Sequence, residues 1–110
     1  MISHDEYGSH ENIEFVKKIM EELLDIKFEG RDSSYWGEYY ISRNDSDEVI
    51  RIIENLDPID EEPIYPEFSD YPVLMHISFT KRSDAIYKLL EPTKLKRLTH
   101  EELPEKPKER

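Results

Sequence analysis

Ile13, Val16, Ile19, Met20, Leu23 and Leu24 recur at spacings of three and four, the period that lays side chains along one face of an α-helix. Glu14, Lys17, Lys18, Glu21 and Glu22 fill the opposite face, and Phe15 widens the apolar stripe. Ser9 or Asn12 supplies a cap, and Glu11 and Glu14 sit near the positive helix end. One apolar face on a mixed-charge helix indicates core packing rather than membrane binding. Residues 1–8 carry no periodic signal and read as a loose polar lead-in.

The period then changes to two. Ile26 and Phe28 alternate with Asp25, Lys27 and Glu29, which predicts a short strand ended by Gly30. Ser34 to Arg43 predicts a second strand, with Tyr35, Tyr39 and Ile41 on one face and Trp36, Glu38, Tyr40 and Ser42 on the other. Gly37 marks a bulge or a close backbone approach, and Asn44 to Asp47 is turn chemistry. Glu48 to Glu54, rich in Val and Ile, is the returning strand. Val73 to Phe79 is the clearest strand and the central one, with Val73, Met75, Ile77 and Phe79 on one face. Ser83 and Asp84 cap a short helix that turns Ala85, Ile86, Leu89 and Leu90 inward and ends at Pro92. Leu95 to His100 forms a small edge strand.

Between the strands lies NLDPIDEEPIYPEFSDYP, residues 55–72, with four prolines, six acids and no base. Each proline removes a donor and restricts its predecessor, so the segment is an extended loop rather than strand or helix. It exceeds the ~12 to 15 residues beyond which a loop in a compact domain is usually functional or disordered. Ile59, Ile64, Tyr65, Phe68 and Tyr71 give it anchors. The expected fold is α+β: an antiparallel sheet of four to five strands, with an N-terminal helix and a short C-terminal helix packed on one face. Residues 1–100 form a single domain, and residues 101–110, EELPEKPKER, form a disordered charged tail.

Charge changes this picture more than composition does. The chain of 110 residues has a net charge of −11, and the excess is regional. Residues 1–72 hold twenty acids against six bases, and residues 73–110 hold six against nine. A field of this sign repels phosphate backbones and anionic membranes and attracts a basic partner. The same acidity also serves solubility alone. There is no cysteine, which excludes thiolate metal and disulfide chemistry and is compatible with a reducing cytosol. No basic n-region or long apolar run points to export or a membrane span, so the expected location is cytoplasmic.

The four histidines and the acids show no metal-ligand spacing. No glycine pattern cradles phosphate, and no serine sits in a nucleophile elbow. The expectation is a non-enzyme without cofactor or metal, which binds neither nucleic acid directly nor membrane. Aromatic residues set among acids offer anchors for protein recognition instead. The candidate partner-binding residues are Trp36, Tyr40, Asp57, Asp60, Glu61, Glu62, Tyr65, Glu67 and Asp70. Trp36, Tyr40 and Tyr65 are chosen because their expected direction is away from the main core.

GRDSSYWGEYY, then an isoleucine-rich strand ending in Asn55, then an acidic proline loop closing with PEFSDYPVLMHIS, resembles small bacterial toxin-immunity proteins over residues 30–80. The resemblance implies a binder that neutralises a cognate, basic toxin domain by occluding its active site. The alternative is a structural or regulatory interaction module, homodimeric through a sheet edge or the aromatic strand.

Overall fold

A computed structural model describes residues 2–44 and 47–103. The elements run β1 (Ile2–Ser9), α1 (Ile13–Leu24), β2 (Glu29–Ser33), β3 (Gly37–Arg43), β4 (Val49–Glu54), a 3-10 turn (Pro66–Phe68), β5 (Val73–Thr80), α2 (Ser83–Leu90) and β6 (Lys96–Leu103). The fold is α+β with one antiparallel sheet in the order β2-β3-β4-β5-β1-β6. The sheet has six strands rather than four or five. The extra strand is β1, read from sequence as a lead-in, which lies inside the sheet between β5 and β6. Its buried positions include Ser3, Asp5 and Ser9, so polar residues stand where an apolar alternation would have announced a strand. Residues 101–103, expected in a disordered tail, extend β6; residues 104–110 lie outside the described range, as do Asp45 and Ser46 of the expected turn.

α1 starts at Ile13, where the Asn12 side chain accepts from the Phe15 amide at 2.8 Å. Its Val16 and Met20 meet Tyr7, Ile50, Ile52, Val73, Met75 and Ile77 of the sheet, and α2 adds Ile86 and Leu90. Burying a residue of this size contributes ~1.5 to 3 kcal/mol, so this layer is the main source of stability. Ala85 and Leu89 of α2 face outward, contrary to expectation, and Arg82 rather than Ser83 or Asp84 occupies the cap position. Ser83 is occupied elsewhere, donating its hydroxyl to Asp5 at 2.5 Å.

Three local readings are corrected. Ile26 and Phe28 are packing anchors rather than strand residues: the Phe28 amide donates to Glu21 of α1 at 3.0 Å instead of to a neighbouring strand. Gly30 lies within β2, opposite Tyr40. Ser34 to Trp36 form the hairpin turn rather than the start of β3; the Ser33 hydroxyl accepts from the Tyr35 and Trp36 amides, and Gly37 closes the turn at φ +72°, the left-handed geometry glycine supplies at low cost. In β5, Phe79 has φ +57° and is exposed. The register shift there between β1 and β5 marks a bulge, which inverts the alternation so that Thr80 is buried in place of Phe79.

The second face of the sheet is covered by the proline loop. Ile41, Ile53 and Leu74 are buried there, Tyr65 meets the His76 ring edge-on at 5.3 Å, and Tyr71 lies over Gly8.

Candidate protein-binding site

Much of the loop is gathered by one buried side chain, to which His10 adds a stack on Tyr71 and a contact with the Asp70 carbonyl at 2.9 Å. Asn55, 6% exposed at the end of β4, donates through its amide to the carbonyls of Tyr65 (3.2 Å), Phe68 (3.1 Å) and Tyr71 (3.4 Å). Its side-chain oxygen accepts from the Tyr65 amide at 2.8 Å, and its own amide donates to Pro72 at 2.8 Å. The prolines leave few donors to hold the segment by itself, so a buried amide with two donors and an acceptor serves as the hub.

A second device shapes the outer turn. The Asp57 carboxylate accepts from the Ile59 and Asp60 amides, while the Asp57 amide donates to Glu62 and the Glu61 amide to Asp57. These amides hold the Asp57 carboxyl below its usual range by favouring the charged form. Asp57 is therefore a turn-forming residue. Its turn presents Pro58 to Glu62 to solvent, with Ile59 79% exposed at the tip and Glu61 in a left-handed conformation. Asp60, Glu61, Glu62, Glu67 and Asp70 are all exposed.

The aromatic candidates separate. Trp36 lies on the loop side, with Arg51 over its ring at 5.2 Å and Tyr39 edge-on at 5.0 Å. Tyr65 is half-buried against His76, and burial raises its hydroxyl. Tyr40 points the other way, so the expected pairing of Trp36 and Tyr40 on one exposed strand face is not what the fold builds. Tyr40 packs against the helix-side core and donates to Glu14. Lys17 lies over its ring at 5.3 Å, and the Glu14 bond pushes the hydroxyl up to about 12. Both residues nevertheless line one groove of about 600 Å³, which runs along β2 and β3 to Leu56 and Pro58.

Sequence reasoning missed Ile59 as an exposed apolar residue, because it was counted among the loop's anchors. It also missed Asp32, Glu38 and Glu54, which line the groove; their strand positions carried no signal beyond polarity.

Two other polar clusters lie on the sheet. Asp5, 1% exposed, accepts from Ser83 and meets His100 Nδ1 at 2.6 Å, while His100 Nε2 faces Glu102 at 3.3 Å. In a nucleophilic relay the histidine bridges serine and acid through different nitrogens. Here the acid is the centre and both ring nitrogens are engaged by carboxylates, so the cluster ties β1, α2 and β6 together. The second is a row across the other face. Thr99 donates to Glu6 at 3.1 Å, Glu6 lies 3.8 Å from His76, and Arg51 pairs in register with His76. Burial holds His76 below its usual value; Glu6 opposes that shift and Arg51 adds to it. Among the described residues no group of three or more His, Asp or Glu could hold a metal ion, and no helix is long and apolar enough to cross a membrane. No protein-family model matches the chain, and no curated protein matches it significantly.

Proposed function

We propose that the protein is an acidic binding protein that neutralises a basic toxin domain by covering its active site, as toxin-immunity proteins do. The observation that carries this reading is the outer loop turn, which holds exposed Ile59 among Asp60, Glu61 and Glu62 on a segment fixed by Asn55 and Asp57. A rigid apolar knob ringed by carboxylates supplies both elements of a tight interface. The knob fills a pocket and excludes water; the charges steer a basic partner into register. Because the loop is already ordered, less conformational entropy is lost on binding.

Co-expression with the product of the adjacent gene tests the proposal. A complex that co-purifies, weakens with salt, and is lost when Asp60, Glu61 and Glu62 are reversed to lysine supports it. Ile59→Ala should weaken that complex by ~1 to 2 kcal/mol without changing thermal stability. Unchanged affinity in both variants sinks the loop assignment. The alternative homodimeric module predicts a salt-insensitive dimer of the isolated protein by light scattering.

A further inference from the structure

The groove beside the loop points to how a basic partner is read. Its walls include Tyr40, Leu56 and Pro58, and its rim carries Asp32, Glu38 and Glu54 beside Arg31, whose charge is taken up by Glu29. These three acids are exposed, and no ion pair among the described residues involves any of them. The groove runs along β2, the end strand of the sheet, whose only strand partner among the described residues is β3. One edge of β2 therefore presents unpaired main-chain donors and acceptors, which an extended segment can join. Gly30 keeps the floor low: a Cβ there would reach to 3.7 Å from the Tyr40 ring.

Apolar walls, unpaired acids and an open edge together select one kind of occupant. We propose that the groove receives an extended basic segment of the partner, an arginine or lysine side chain entering among Asp32, Glu38 and Glu54 while its main chain follows β2. The inference rests on the reading that the partner is basic, and it adds a second contact region at the β2–β3 end of the sheet. A planar guanidinium can also stack on an aromatic ring while it meets carboxylates, so arginine binds more tightly than lysine.

The probes are hexa-arginine, hexalysine and hexaglutamate peptides, titrated by calorimetry and by fluorescence. The only tryptophan, Trp36, lines the groove and reports occupancy directly. Hexa-arginine should bind the wild type more tightly than hexalysine, with a change in Trp36 emission, and hexaglutamate should not bind. The variant Asp32→Asn/Glu38→Gln/Glu54→Gln should weaken hexa-arginine by roughly tenfold or more, since each charge-assisted contact is worth about that factor, and abolish the emission change. Gly30→Ala, whose added methyl makes only ordinary contacts with Tyr40, should weaken binding with an unchanged melting temperature. The loop variant Asp60→Asn/Glu61→Gln/Glu62→Gln removes the same charge and should have less than about a threefold effect. Equal weakening by the two triple variants would mean a delocalised field and overturn the groove, as would absence of hexa-arginine binding to the wild type. Failure here leaves the Ile59 test with the protein partner standing, and failure of that test leaves the peptide result standing.

Discussion

Asn55 is where the loop's order can be broken with one atom exchange. Asn55→Ala removes the acceptor bond from the Tyr65 amide and the two donors shared among Tyr65, Phe68 and Tyr71. At ~0.5 to 1.5 kcal/mol for each of three bonds, the loss is about 3 kcal/mol, which lowers the melting temperature of a domain this size by roughly 10 to 20 °C. Asn55→Asp is isosteric but turns both donors into acceptors aimed at carbonyl oxygens, so at neutral pH it should be more destabilised than Asn55→Ala. Repulsion by those carbonyls raises the introduced carboxyl in the fold, so its penalty is smallest at acid pH, where the group is protonated and donates, and grows as pH rises. Urea unfolding at pH 4 and pH 7, with limited proteolysis between residues 57 and 70, measures both effects. The reasoning fails if Asn55→Asp matches wild-type stability at pH 7, or if the loop stays resistant to protease in Asn55→Ala.

Four further substitutions probe the frame around the loop. Glu48, 3% exposed, accepts from Arg82 Nε and Nη2 at 2.9 and 2.7 Å and from Thr80 at 2.6 Å; Glu48→Ala strands these partners and should cost about 3 kcal/mol in denaturant unfolding, at the low end for a broken buried pair because Arg82 reaches solvent. Burial alone would raise the Glu48 carboxyl, but Arg82, Thr80 and Asn44 outweigh it and the net direction is down. Its contribution is therefore full above the ordinary carboxylate range and disappears as pH falls through the lowered value. His100 is held above 6.5 by its bond to Asp5, so its contribution is full below 6.5 and lost as pH rises through the raised value. His76 has the opposite sign: its burial stabilises the neutral ring, and stability is lost as pH falls below 6.5. Melting temperatures across pH should accordingly flatten on the alkaline side in His100→Gln and on the acid side in His76→Gln. Gly8→Ala places a methyl 2.6 Å from the Tyr71 ring and 2.9 Å from Leu98, an overpacking that should cost ~1 to 3 kcal/mol by the same measurement.

What the sequence disclosed followed from where hydrophobic side chains do the ordering. α1, β4 and β5 are legible because Val16, Met20, Ile50, Ile52, Met75 and Ile77 all enter one apolar layer. β1 was illegible because its inward positions are held by polar bonds: Asp5 to Ser83 and His100, and Ser3 buried without apolar character. Phe79 and Thr80 exchanged places because a bulge is a backbone event that residue type does not reveal. At the candidate site, the acidic turn was visible in composition. The groove was not, since it joins residues from α1, β2, β3, the end of β4 and the loop start, and Tyr40 was expected outward because the Tyr39 and Ile41 face was read as the core side, whereas the helix-side core packs on the Tyr40 face.

The placement of these polar bonds has a consequence for binding. The Asp5–Ser83–His100 cluster sits at the β1–β6 end of the sheet, while the groove lies at the β2–β3 end, with β4 and β5 between them. Proton loss from His100 thus weakens the attachment of β6 without touching a loop or groove residue. His76 differs, because Tyr65 of the loop rests on its ring and Arg51, which stacks on Trp36, pairs beside it. Protonating His76 puts a second cation next to Arg51 under the loop, a repulsion that only Glu6 offsets among its neighbours. Affinity for the proposed partner should therefore fall only as pH drops through the lowered His76 value and stay level above it, even where stability declines. His100→Gln should change the stability profile and leave affinity at every pH unaltered. An affinity change in that variant would show that the two ends of the sheet are coupled.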